Sequence, residues 1–220
     1  MLPSQFPEVA DYPRLRKLLA RQIDMQIADL RVLLQLPLPG LDAGCNFAAA
    51  SVLFNLIGGC SVCFLNADPA RVLKPTRRGG GSEFKTLLNK HYPWREELVR
   101  PSKGVELLYH WARTPLVHAL GLDDPSREDM ALAKGPIPPN RTRELEDSEK
   151  RPAWLPATID PVEQSDGRKL FVISVPTLYW GFLRTLHSLF SDRDQLILCE
   201  RFAEQVRLAG RSANRRYRGA

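Results

Sequence analysis

The chain has 220 residues, of which 44% are hydrophobic and 25% charged, so it has the composition of a globular protein rather than an intrinsically disordered one. Its length is at the upper end of a single domain, and a formal net charge of +6 suits an anionic partner such as nucleic acid. The first residues lack the basic-then-apolar plan of a signal peptide, so we expect a cytoplasmic protein with reduced thiols.

Two helices are predicted in the N-terminal part of the chain. Over residues 13–34 apolar side chains recur at the 3.6-residue period, and Pro13 suits the first helical turn. Residues 43–67 carry no charge, a length that matches the ~20 residues of a membrane span. The polar residues Asn46, Ser51 and Asn55 favour a central helix over residues 42–65, wrapped on all sides by its neighbours, over a membrane span.

The pair Cys60 and Cys63 forms a C-x-x-C, a spacing used by zinc and redox sites. A zinc site needs a second ligand pair, which the sequence does not offer at a matching spacing. A redox site is typically preceded by a strand and open to solvent, whereas this pair lies in an apolar run. Buried structural thiols are the preferred interpretation, and no metal or other cofactor is expected.

The middle of the chain is predicted to contain a basic loop and two more helices. The segment KPTRRGGGS, residues 74–82, reads as a loop in which Arg77 and Arg78 concentrate positive charge, either as a solvated pair or as an RNA contact. A short helix is expected over residues 83–91. A further helix is expected to open at Lys103 or Gly104 and to end before Gly121.

The C-terminal half is expected to be mixed. Residues 123–167 are rich in proline and charge and predict a long exposed excursion. Strand-like segments at residues 154–160 and 169–175, with a turn at residues 165–167, predict a β-hairpin. Two helices, residues 177–190 and 192–208, should follow. Residues 1–210 would then form a single domain, and residues 211–220 a disordered basic tail whose arginines contact phosphates: Arg211, Arg215, Arg216 and Arg218.

The most informative segment is GVELLYHWARTPLVHALGL, residues 104–122. Arg113 and His118 stand among apolar residues, where an arginine needs a polar partner because its burial alone is costly. Pro115 removes a helical hydrogen bond and should kink the helix, which changes the roughly 140° that separates residues five apart in a straight helix. His110 lies three residues before Arg113 and is interpreted as a surface residue.

This R-x4-H pattern, formed by Arg113, the polar Thr114 and His118, resembles the signature of the HEPN family (higher eukaryote and prokaryote nucleotide-binding domains). The stretch NFAAA, residues 46–50, is similar to a helix of its bacterial members. The sequence departs from many toxin members in having Ala119 and Leu120, rather than a Tyr, after the His. The resemblance implies an all-α fold, a HEPN-like helical bundle, here with a small β-hairpin insertion after the motif helix, that forms a homodimer.

The resemblance also implies a metal-independent endoribonuclease in which Arg113, Thr114 and His118 are catalytic. Cleavage of RNA through its own 2′-hydroxyl needs proton transfer, which a histidine performs near neutral pH. A guanidinium matches the phosphoryl oxygens on which charge builds in the transition state. Thr114 would hold the phosphate or orient Arg113.

The expected partner is RNA, with an antitoxin or other regulatory protein if the chain acts as a toxin or phage-defence effector. Two alternatives stay open. One is a non-catalytic HEPN-like scaffold that dimerises or binds nucleotide. The other is a basic helical protein that binds nucleic acid through its tail.

Overall fold

The structure, a computed structural model, describes residues 1–37, 45–65, 81–113, 129–133, 137–165, 167 and 169–218, and for residues 111–113, 129–130, 133 and 210–218 it describes the backbone only. Within these ranges the protein is mostly helical, with one small sheet. The helices, in chain order, are α1 (Pro13–Gln35), α2 (Asn46–Cys60), α3 (Gly81–His91), α4 (Pro101–Glu106), α5 (Pro139–Asp147), α6 (Val175–Phe190) and α7 (Arg193–Arg218). The strands are β1 (Asp129–Ala133), β2 (Ile159–Glu163) and β3 (Lys169–Ser174). The mostly helical expectation is therefore confirmed, whereas the sheet is larger than a hairpin.

Two of the helices continue with π-helical geometry. Helix α2 is followed by a π-helical segment at Ser61–Leu65, and α4 by one at Leu107–Arg113. Such segments, which form i→i+5 hydrogen bonds, are rare and frequently mark functional sites. The second one leads directly into the R-x4-H pattern.

Helix α1 forms one side of the core, as its periodicity predicts. Its buried apolar residues are Leu15, Leu19, Ile23, Ile27, Leu30 and Leu34. Pro13 lies in the first turn, and Pro37 follows the last residues, where a proline cannot continue a helix. The helix packs against α2, α5 and α7, so it joins the N-terminal and C-terminal parts of the chain.

Helix α2 and its π-helical continuation form the most apolar helix of the described chain. Asn46–Leu65 has 20 residues and is long and apolar enough to cross a membrane, but 56% of its most apolar window is buried inside the protein. The core helix of a soluble protein passes the same test, and this helix packs on α1, α3 and α6. The expectation that it is wrapped on all sides is wrong, because Phe47 is 61% exposed and Asn55 and Gly59 are exposed as well.

The sheet has the strand order β1–β3–β2. Strands β2 and β3 are antiparallel, with Ile159 opposite Ile173, which confirms the predicted hairpin in a shorter form. Gly167 lies in the turn with a φ of 81°, a left-handed conformation that glycine adopts without strain. Strand β1 pairs in parallel with β3 and was not predicted.

Residues 137–163 are not the exposed excursion that their composition suggests. Leu145 on α5 is fully buried, and Leu155 and Ile159 are nearly or fully buried. Helix α5 lies against α1 and α6, where the carboxylate of Glu146 accepts hydrogen bonds from Arg31 and from the Tyr179 hydroxyl. These long-range partners explain why a charge-rich segment folds onto the core.

Helices α6 and α7 complete the bundle. Ser174 caps α6 by accepting a hydrogen bond from the Thr177 backbone N–H, and almost the whole helix is buried. Phe202 of α7 packs edge-on against Phe64, with ring centroids 6.3 Å apart. The helix continues to Arg218, so residues 211–218 have a helical backbone rather than the disordered one expected from their charge.

Candidate functional site

The helix that carries the motif begins earlier than predicted. Its first residue is Pro101, a residue whose fixed φ suits the first turn of a helix. It then crosses the Trp94 ring closely at Gly104, where an added Cβ would lie 2.3 Å from a ring atom. Leu107 and Leu108 are fully buried, so this helix is anchored to the core just before it reaches Arg113.

The structure contains only part of the predicted catalytic set. Arg113 is the last residue of the π-helical segment, and its backbone alone is described. Thr114 and His118 lie outside the described residues, as do Arg77 and Arg78 of the basic loop. The arrangement of Arg113 relative to His118 therefore stays a prediction.

The described residues beside Arg113 form an acid–base cluster that the sequence analysis missed. Lys85 of α3 donates hydrogen bonds to both carboxylate oxygens of Glu106, at 2.9 Å and 3.1 Å. His110 places Nε2 2.9 Å from Lys85 Nζ and 3.0 Å from Glu106 Oε2. We call Lys85, Glu106 and His110 the acid–base cluster. The available signal was the i,i+4 spacing of Glu106 and His110, which places two such residues side by side on a helix.

The Tyr109 ring packs against two members of the acid–base cluster. Tyr109 lies edge-on to His110 with ring centroids 4.8 Å apart, and Lys85 Nζ lies 4.9 Å from the Tyr109 centroid. Tyr109 also packs against Phe84, which is buried in the core. Gly81 makes room for the phenol, since a Cβ there would lie 2.4 Å from the Tyr109 hydroxyl. The cluster is thus built on the core rather than on a loop.

The electrostatics of the cluster favour a charged carboxylate. The hydrogen bond from Lys85 lowers the pKa of Glu106 below its usual range, and this outweighs the opposing effect of burial. The side chains of Glu106 and His110 are both about half exposed, at 49% and 50%. Solvent molecules and a ligand can therefore reach the imidazole.

The remaining described histidines have structural partners, as predicted. His91 bonds through Nδ1 to the Ser188 hydroxyl at 3.1 Å, and burial lowers its pKa. His187 pairs with Glu8 at 3.2 Å and packs edge-on against Phe6. Both link distant parts of the bundle.

The cysteines behave as the structural interpretation predicts. Cys60 and Cys199 are buried, and burial raises the pKa of Cys63 to about 11 and that of Cys199 to about 12, so all three thiols stay protonated near neutral pH. Cys199 donates a hydrogen bond to the Phe64 carbonyl at 3.6 Å. Within the described part of the chain, the Cys, His, Asp and Glu side chains form no group of three or more that is placed to hold a metal ion.

The basic residues of the C-terminus lie on a helix. Arg207 pairs with Glu204, three residues before it, at 2.7 Å. Arg211, Arg215 and Arg218 follow Arg207 at helical spacing, so the four positions share one face of α7, whereas Arg216 is on another face. The phosphate contacts predicted for these arginines are not tested by the backbone.

Comparison with family models, curated proteins and solved structures finds no match for this chain.

Proposed function

We propose that this chain is a metal-independent endoribonuclease of the HEPN type, acting in the cytoplasm as a homodimer. The observation that carries the proposal is the R-x4-H pattern of Arg113 and His118, with Thr114 in the polar position. A mostly helical architecture supports it. So does the π-helical geometry of Leu107–Arg113, because such segments are frequently found at functional sites.

In this proposal each motif residue has a defined chemical role. Arg113 stabilises the charge that builds on the phosphoryl oxygens, since a planar guanidinium binds two oxygens at once. His118 transfers a proton, and Thr114 holds the phosphate or orients Arg113. The two-fold axis of the homodimer would lie near the motif helix, so that residues on diverging faces of that helix meet across two chains.

The direct test is RNA cleavage by the purified protein in the presence of EDTA. Wild-type protein should cleave single-stranded RNA and leave 2′,3′-cyclic phosphate ends. His118→Ala should lower the rate by about 10²–10⁴-fold because proton transfer is lost. Arg113→Lys should also be inactive, since an ammonium keeps the charge but loses the planar fork.

The matched control is His187→Ala, which removes a partly exposed histidine from another helix. It should cleave like the wild type. If wild-type protein and the His118 variant are equally inactive on every RNA, or equally active, the chain is a non-catalytic scaffold instead. A toxin or defence effector would in addition inhibit growth on expression, and co-expression of an antitoxin would relieve this.

Nucleic-acid binding through α7 is the second candidate function, favoured by the arginines that share one of its faces. Arginines that neutralise phosphates release counterions, so binding weakens as salt rises. Replacing Arg211 and Arg215 with Gln should weaken RNA binding and flatten its salt dependence. The charge-matched control replaces Arg216, which lies on another face of α7, and the exposed Arg95, which lies outside α7. Equal effects of the two double variants would exclude a helical binding face, and no effect of either would exclude α7 as a binding element.

A further inference from the structure

Cleavage of RNA through its 2′-hydroxyl requires two proton transfers. The O2′–P bond forms while the P–O5′ bond breaks, so one group accepts the 2′ proton and another donates a proton to the departing 5′ oxygen. The R-x4-H pattern supplies one histidine per chain for these two tasks. A second group able to accept or donate a proton near Arg113 would complete this pair of transfers within one chain.

His110 is held in a way that suits a proton acceptor. When Nε2 is unprotonated, its lone pair accepts a hydrogen bond from Lys85 at 2.9 Å. When Nε2 is protonated, it donates to the Glu106 carboxylate at 3.0 Å. The same nitrogen therefore has a partner in both protonation states, and the imidazole does not have to rotate as it gains or loses the proton.

The other described histidines lack this arrangement. His91 is buried and bonded to a neutral hydroxyl, so a charged imidazole there is disfavoured. His187 faces one carboxylate, that of Glu8, and among the described residues it has no ammonium or guanidinium partner. Only His110, of these three, lies three residues before Arg113 on the same π-helical segment.

We propose that His110 is a second catalytic residue, the proton acceptor for the 2′-hydroxyl, with Glu106 and Lys85 as its positioning residues. This inference rests on the proposed ribonuclease function. The 2′-hydroxyl takes the place of Lys85 as the donor to Nε2, and its proton passes to that nitrogen. Glu106 then stabilises the imidazolium, while Lys85 is free to approach the negatively charged phosphate. His118 donates the proton to the 5′ oxygen, so protons and bonds balance.

The test compares His110→Gln with His187→Gln in the RNA cleavage assay. His187 is the matched control because it is also partly exposed and paired with a carboxylate. His110→Gln should lower kcat by about 10²–10⁴-fold with little change in KM, while His187→Gln leaves both unchanged. Added imidazole should restore part of the activity of His110→Ala, since the smaller residue leaves room for a base from solvent beside Glu106, and His110 is half exposed.

Glu106→Gln serves as a second variant that keeps the imidazole in place. It should lower kcat to a smaller extent than His110→Gln, because the amide still accepts a hydrogen bond but no longer stabilises an imidazolium by charge. Thermal unfolding of all variants should follow that of His187→Gln.

The outcomes separate this inference from the proposed function. If wild-type protein cleaves RNA and depends on His118, but His110→Gln matches the His187 control, His110 is not catalytic and the ribonuclease proposal stands. A loss of activity in His110→Ala that imidazole does not relieve would assign His110 a purely structural role. If wild-type protein cleaves no RNA, both proposals are wrong.

Discussion

Two carboxylates of this protein each bond to a cation that lies beside a tyrosine, in opposite surroundings. Glu146 is nearly buried between helices, where Arg31 and Tyr179 bond to it. Glu106 is half exposed and bonds to Lys85 above the Tyr109 ring. The first arrangement joins three helices, and the second is exposed to solvent. The comparison shows that similar residue types form an enclosed contact between helices in one place and a solvent-accessible cluster in the other, so removing a partner should cost more in the first.

The largest expected difference is between the free energies of unfolding lost when Arg31 and when Lys85 is replaced. Arg31→Met leaves the Glu146 carboxylate buried and short of a charged partner, which should cost about 3 kcal/mol. Lys85→Met removes the corresponding partner of an exposed carboxylate and should cost less than about 1 kcal/mol. Urea unfolding of both variants checks this. Equal costs would mean that burial does not distinguish the two carboxylates.

A second difference is expected where a glycine lies against a tyrosine ring. A Cβ at Gly181 would lie 2.3 Å from ring atoms of Tyr92, which is buried and bonded to Thr158. Gly181→Ala should therefore destabilise the protein by about 1–3 kcal/mol, as overpacking does. Gly81→Ala should cost less, because Tyr109 is only partly buried and is less tightly confined than Tyr92. Thermal unfolding of the two variants measures the difference, and a larger loss in Gly81→Ala would contradict the comparison.

The smallest expected effect concerns how the free energy of unfolding depends on pH, because Glu97 and Glu106 should contribute to it with opposite signs. Burial raises the pKa of Glu97, although its hydrogen bonds from Thr158 oppose this. Its contribution to stability is therefore present below its unfolded pKa and is lost as pH rises through the folded pKa. Glu106 has a lowered pKa, so its contribution is present above the unfolded pKa and is lost as pH falls through the folded one.

Urea midpoints at several pH values, for the wild type and for Glu97→Gln and Glu106→Gln, test these signs. The stability of the wild type relative to Glu97→Gln should fall as pH rises. Its stability relative to Glu106→Gln should increase as pH rises through the acidic range. Slopes of the same sign would show that burial of Glu97 does not outweigh its hydrogen bonds.

The helices could be read from the sequence where local pattern alone determines structure. The 3.6-residue stripe of α1 and the turn at Gly167 both follow from residues close together in the chain. Strand β1 could not be predicted from the sequence. Its partner β3 is distant in the chain, since Asp129 pairs with Leu170 across the segment that contains α5. Glu146 likewise reads as a solvated charge until Arg31, distant in sequence, is placed beside it.

The candidate site was predictable only in part, for a related reason. Arg113 and its motif were found because their spacing is local. The contact of Lys85 with His110 could not be predicted from the sequence, because it joins two separate helices and so leaves no periodic pattern in either. Pattern analysis therefore located the segment of interest but not the side chains that surround it.

The contact between the π-helical end of α2 and helix α7 provides an internal chemical reporter. Cys199 and Gln195 of α7 both donate hydrogen bonds to the Phe64 carbonyl, so the Cys199 thiol is sealed only while α7 is docked. A thiol reagent should modify Cys199 only when α7 detaches, and at a high reagent concentration it does so at the rate of detachment. Peptide mapping separates this site from the more accessible Cys45 and Cys63, so labelling of Cys199 follows the opening of α7 without an introduced probe.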